Sequence, residues 1–294
     1  MKKNRIAASA LALSLCLALA ACSGGGAESP APESTAPAGT TPVETTPAET
    51  ASAESDLAYV RDKGTLVVGI TEFEPMDYQD ADGNWIGFDA DMAKAFAESL
   101  GVDVEFQEIT WDYKVEELDS KAIDCVWNGM TLGEDVMAAM GTSVPYCTNA
   151  QVLVVPADKA ADFEGLTSLE GLNVAVESGS AGEDAAIALG ATTVPVQSQA
   201  NTLMEVSAGT SDAAVIDLLM AGAMIGEGTS YEDLTFTLNL NDAQGLPSEE
   251  YGVGFRKGSD LVDAFNEFWA EKVSDGTVLE TATTYGVQDA VILD

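Results

Sequence analysis

The stretch Cys125-Val-Trp-Asn-Gly-Met-Thr-Leu-Gly-Glu134 starts apolar and ends in an amide, two glycines, a hydroxyl and an acid. A strand that stops this way offers hydrogen-bond donors: the Asn128 amide, the Thr131 hydroxyl and backbone N–H groups at Gly129 and Met130. Such groups hold a ligand, and an anion suits them well. They supply no activated nucleophile. The chain has no histidine, which removes His-based triads, His general bases and most zinc sites. Acid–base work would fall to Glu177, Asp217 or Lys114. The helix expected over 136–140 is bare of positive charge. Downstream of the first 22 residues only Cys125 and Cys147 carry thiols, and their positions leave open a disulfide or two small buried side chains.

Elements that would position these groups follow from hydrophobic period. Thr65-Leu-Val-Val-Gly-Ile70 reads as a buried strand. Asp89 reads as the cap of a helix whose Phe88, Met92, Ala93, Phe96, Ala97 and Leu100 share one face, with Gly101 ending it. A strand over 102–108, a short helix carrying Val115 and Leu118, and a strand over 123–128 complete a β-α-β-α-β order. That order implies parallel strands with right-handed crossovers. After Gln151-Val-Leu-Val-Val155 the alternation restarts: strands at 173–176, 192–196 and 213–216, with helices at 180–189, at 198–208 and from 218. Tyr251-Gly-Val-Gly-Phe255 reads as a returning strand before helices near 259–273 and 277–285. Two α/β units place strand ends and helix N-termini around a cleft, and Asn128–Thr131 lies at such an end.

Twelve Lys and Arg stand against 49 Asp and Glu, so a surface field that binds nucleic acid or anionic lipid is excluded. Lys2, Lys3 and Arg5 precede an apolar run from Ile6 to Ala21, shorter than a membrane span and closing on Leu19-Ala20-Ala21-Cys22. Residues 1–21 therefore read as a lipoprotein signal peptide, with Cys22 the acylated N-terminus that tethers the chain to the outer face of a bacterial membrane. From Cys22 to residue 56 the Ala, Pro, Thr and Glu composition reads as a disordered stalk. The rest is long enough for two lobes with real cores.

Gly69 and Pro75, Asp82-Gly83, Gly87-Phe-Asp-Ala-Asp91, Ile123-Asp124, Gly129-Met130-Thr131, Pro145-Tyr146, Gly179-Ser180 and Val215-Ile216-Asp217 occur in one order. Over roughly 64–290 the chain thereby resembles the extracellular solute-binding proteins of family 3, the polar amino-acid receptors of bacterial ABC importers. The resemblance implies an α/β, two-lobed periplasmic-binding-protein-like (type II) fold with a hinge and an interlobe ligand cleft. It places lobe one at 57–148 plus 250–294 and lobe two at 152–246. It further implies a monomer without cofactor or metal, delivering a small polar solute to a permease. It carries the ligand carboxylate to Gly129, Met130 and Thr131 beside Asn128, with Ser180 opposite. Asp217 becomes the ammonium acceptor and Phe73 the aromatic cover, with Trp111 and Trp127 as stacking candidates.

The departures are as informative. Where the family has an arginine that forks onto the ligand carboxylate, this chain has Val136. A charge-assisted bond there is worth about 1.5–3 kcal/mol. At cleft-facing positions it instead has Lys114 and Glu177. Lys114 either replaces the arginine as a point charge or pairs with Glu177 to latch the cleft. The leading ligand is an amino acid or close derivative. The runner-up is a cationic amine without an α-carboxylate, held by Asp217, Glu177 and Glu72. An enzyme on the same scaffold is the rival from another class.

Overall fold

The computed structural model describes residues 55–244 and 248–293. The signal segment, Cys22 and the stalk through residue 54 lie outside the described residues. Ser55 caps the helix Asp56–Lys63 by accepting a hydrogen bond from the Ala58 N–H, so the last stalk positions belong to the folded body.

Thr65–Ile70 is buried at every position after the first, as befits a strand covered on both faces. It runs parallel to Asp103–Glu108 on one side and to Cys125–Thr131 on the other. Glu249–Phe255 lies antiparallel beside Cys125–Thr131 and also pairs with Gly141–Thr142 and Cys147–Asn149, making a six-stranded sheet. The second sheet has five strands in the order Thr192–Val196, Asn173–Glu177, Ala213–Asp217, Gln151–Pro156, Leu234–Asn239. Its first three are parallel and its last two antiparallel to their neighbours. The sequence reading expected parallel units and missed Leu234–Asn239. The antiparallel strands next to each parallel set are those reached by crossing between sheets, and a chain that enters from the other sheet needs no crossover helix.

The chain crosses between sheets twice, at Asn149 to Gln151 and between the helix Leu240–Gln244 and Glu249. Both crossings turn polar side chains into the space between the sheets.

The larger core gathers around Trp127, which is fully buried with its ring 4.9 Å from Phe265 and 6.4 Å from Phe96. Burying such rings contributes roughly 1.5–3 kcal/mol each. The helix Phe88–Leu100 buries the expected apolar face, and Gly101 ends it at φ 77°. Asp89 is not its cap, since Gly87 holds that position. Cys125 and Cys147 are free and buried, which leaves them as small core side chains. Among the described residues no helix is long and apolar enough to cross a membrane, and no acid, thiol or imidazole cluster fits a metal ion.

Candidate functional site

A cavity of about 730 Å³ opens between the two sheets, lined by the end of Cys125–Thr131, the helix Glu134–Ala139, the turn at Glu177–Ser180, Asp217 and Glu249. The volume suits a small-molecule ligand.

On the first wall, the donors of Asn128 and Gly129 turn away from the cavity into the core. Asn128 Nδ2 donates to the Thr71 carbonyl (2.9 Å) and to Asp77 Oδ2 (2.8 Å). Its Oδ1 accepts from the Thr71 N–H (3.0 Å) and hydroxyl (2.8 Å). The Gly129 N–H donates to Asp89 Oδ2 at 2.7 Å, an oxygen that also accepts from Tyr146 OH at 2.6 Å. Gly129 needs φ 53°, and a Cβ there would meet the Phe73 ring at 2.4 Å. Burial pushes Asp89 up to about 7 against the bonds donated by Tyr146 and Gly129. Asp77 also rises, through burial and the charge of Asp89. Two dry carboxylates thus hold the loop from beneath.

Phe73 packs edge-on against Tyr251 with centroids 6.3 Å apart, under Gly129. It does not line the cavity, and neither does Trp127. Both expectations are corrected: each ring is buried in the core behind the loop. Glu72 is exposed and also lies outside the lining. Trp111 does line it, with its ring 4.9 Å from the Lys114 ammonium.

Opposite lies a cage of amides. Asp217 Oδ1 accepts from Gln151 Nε2 (2.9 Å) and Asn149 Nδ2, and Oδ2 accepts from Gln199 Nε2. The Asp217 N–H returns a bond to Gln199 Oε1 at 2.9 Å. Asp217 sits at the N-cap position of Leu218–Met224 yet makes no side-chain cap bond. Beside it Glu249 Oε2 accepts from the Thr131 hydroxyl (3.0 Å) and Gln151 Nε2 (2.9 Å), while Oε1 accepts from Asn241 (3.4 Å). Burial and the charge of Glu249 raise Asp217 to about 7. Glu177 is 3% exposed, and Oε1 has no hydrogen-bond donor among the described residues. Burial, then repulsion by Asp217, lifts it to about 8 despite a Thr71 hydrogen bond and the charge of Lys114.

Lys114 Nζ donates to the Gly179 carbonyl across the cleft (3.0 Å) and to the Trp111 carbonyl (3.3 Å). It therefore joins the walls through backbone oxygen and makes no ion pair with Glu177, which corrects the latch expectation. Burial lowers its pKa, opposed by Asp135 and Glu177. Gly179, at φ 72°, comes so close to Asp112 that a Cβ would meet it at 2.7 Å. Ser180 Oγ accepts from the Glu183 N–H (3.1 Å) and caps Ala181–Ala188. Val136 is buried and lines the cavity where a clamp arginine was sought.

Residues 66–288 match the model of the bacterial extracellular solute-binding proteins, family 3. The chain belongs to this family. Among family 3 relatives, the L-cystine-binding protein TcyJ of Escherichia coli (strain K12) is 28% identical over 74% of this chain and 81% of its own. The arginine-binding extracellular protein ArtP of Bacillus subtilis (strain 168) is 30% identical over 73% and 83%. The solved structure of an ABC uptake transporter substrate binding protein from Streptococcus pneumoniae with bound histidine is 26% identical, with a TM-score of 0.69 over 79% of this chain and 96% of that one. The family's two-lobed α/β fold is the fold seen here. Sequence reasoning passed over Glu249, Gln151, Gln199, Asn149 and Asn241 around this cavity. Their only local signal is an acid or amide at a strand or helix end, which many surface positions share.

Proposed function

We propose that this protein is a lipid-anchored, extracytoplasmic substrate-binding protein of an ABC importer. It captures an ammonium-bearing solute, an amino acid or close derivative, between its lobes and delivers it to a membrane permease without turnover. Cys22 supplies the anchor, and the receptor works as a monomer. The observation that carries this reading is the interlobe cavity itself, walled by groups from both sheets and ending on buried Asp217. Thr131, Ser180, Glu177 and Asp217 stand around it with Lys114 and Trp111 at its side. Relatives named for cystine and arginine support a solute with a charged amino group.

A second reading, a cationic amine lacking an α-carboxylate, is favoured by the lining. Among the described lining residues seven are acidic and one, Lys114, is basic. Titration calorimetry with amino acids and amines, paired with NMR of the recovered ligand, tests the receptor role. Saturable 1:1 binding with the ligand recovered unchanged is expected, and a converted product would point to an enzyme instead.

A further inference from the structure

Resting on that receptor role, and taking its amine form over its amino-acid form, we propose that the cleft selects a small organic cation, an ammonium or guanidinium without an α-carboxylate. Glu249 of the chain itself occupies the place at Thr131 that a ligand carboxylate would take. Several groups that could hold an anion are already committed to the protein. The Thr131 hydroxyl goes to Glu249, the Gly129 N–H to Asp89 and the Gly179 N–H to Glu183 Oε2 at 2.8 Å. The Ser180 N–H bonds the Glu177 carbonyl (3.2 Å). The Lys114 ammonium rests on the Gly179 carbonyl, and position 136 holds valine. Three internal carboxylates thus fill three donor places, and the fork that would add a fourth is missing.

The acceptors show the reverse pattern. Glu177 Oε1 is buried, lines the cavity and has no donor among the described residues. Among the described residues Asp217 and Glu249 accept from neutral amides and hydroxyls, and no cation pairs with either. A bound ammonium or guanidinium would complete all three. An α-carboxylate entering with it would face Glu249 at Thr131, and like charges so close in a partly dry cleft repel strongly.

Pairs that differ only by the carboxylate give the test: arginine against agmatine, histidine against histamine, cystine against cystamine, each titrated calorimetrically into the full chain. We expect at least one decarboxylated partner to bind tenfold or more tightly than its amino acid. In Glu249→Gln, and separately in Val136→Arg, that preference should shrink tenfold or reverse. A wild-type preference below tenfold in every pair overturns the proposal. So does a neutral amino acid binding when no member of the pairs does, a result that leaves the receptor reading standing. Silence from every amino acid and every amine overturns both.

Discussion

The two ends of the strand Cys125–Thr131 treat charge in opposite ways. Just before it, Asp124 is fully buried and met by two cations. Lys63 Nζ reaches Oδ2 at 2.5 Å and Arg256 reaches Oδ1 at 3.4 Å. Arg256 also pairs with Asp56 at 3.0 Å and donates to the Leu118 and Ile123 carbonyls. At the far end Glu249, Asp217 and Glu177 are met by amides and hydroxyls, with Lys114 turned to a carbonyl. A buried charge left without a partner costs several kcal/mol. The first end is neutralised inside the fold and serves stability. The second is left short of positive charge, the condition a cationic ligand would relieve. Arg256, one of two arginines in the folded body, is spent on the first end and cannot serve as a clamp.

The contrast is open to breaking at either end. Arg256→Met should cost the most, about 3–5 kcal/mol, because Asp56 and Asp124 lose their fork. Urea unfolding would show this as a lower midpoint, and a wild-type midpoint would erase the distinction. Asp217→Asn should lower folding stability by about 1–3 kcal/mol, because the new NH2 would face an amide N–H that the carboxylate now accepts. Affinity for a cationic ligand should fall at least tenfold, about 1.4 kcal/mol. Equal affinity in calorimetry would remove Asp217 from the ligand's surroundings.

The cleft's carboxyl groups also make the contrast sensitive to pH. Glu177 and Asp217 sit at about 8 and about 7 when folded, above their ordinary carboxylate values. The folded state thus holds their protons more tightly than the unfolded chain does. Their contribution to stability is complete below the unfolded values and is lost as pH rises through 7 to 8. Between pH 5 and pH 9 the ligand-free protein should melt progressively lower, by about 2–4 °C for each kcal/mol lost. Affinity for a cation should climb over the same interval as the carboxylates ionise. A melting temperature that rises with pH would contradict the assignment.

The period of apolar residues gave most of the first sheet and the helices around it, because burial pattern is a local property of the chain. Leu234–Asn239 escaped although Leu-Thr-Phe-Thr-Leu-Asn alternates apolar and polar residues and Gly226, Gly228 and Asp233 precede it, so the signal was present in the sequence and was passed over. Asp89 was read as a cap because an acid before an apolar helix has that ordinary role. Its bond to Gly129 spans 40 positions and leaves no local trace. Trp127 was a stacking candidate, and residue type alone does not say which face of a sheet a strand residue takes. One side of the sheet took the ring among Phe96, Phe265 and Tyr146.

The sequence by itself determined that there are two α/β units and that a donor-bearing strand end closes the first. These are matters of residue type and spacing, whereas the expectation of an arginine at position 136, where the chain has valine, came from the resemblance alone. Only the tertiary structure decided what the donors bind. Thr131 and Glu249 are 118 positions apart, and Gln151 and Glu249 are 98 apart. They meet because the returning strand Glu249–Phe255 is paired beside Cys125–Thr131 at the point where the chain crosses between sheets. Hydrogen bonds act over a few ångströms in space and are blind to distance along the chain, so strand pairing settled which charges the cleft would keep.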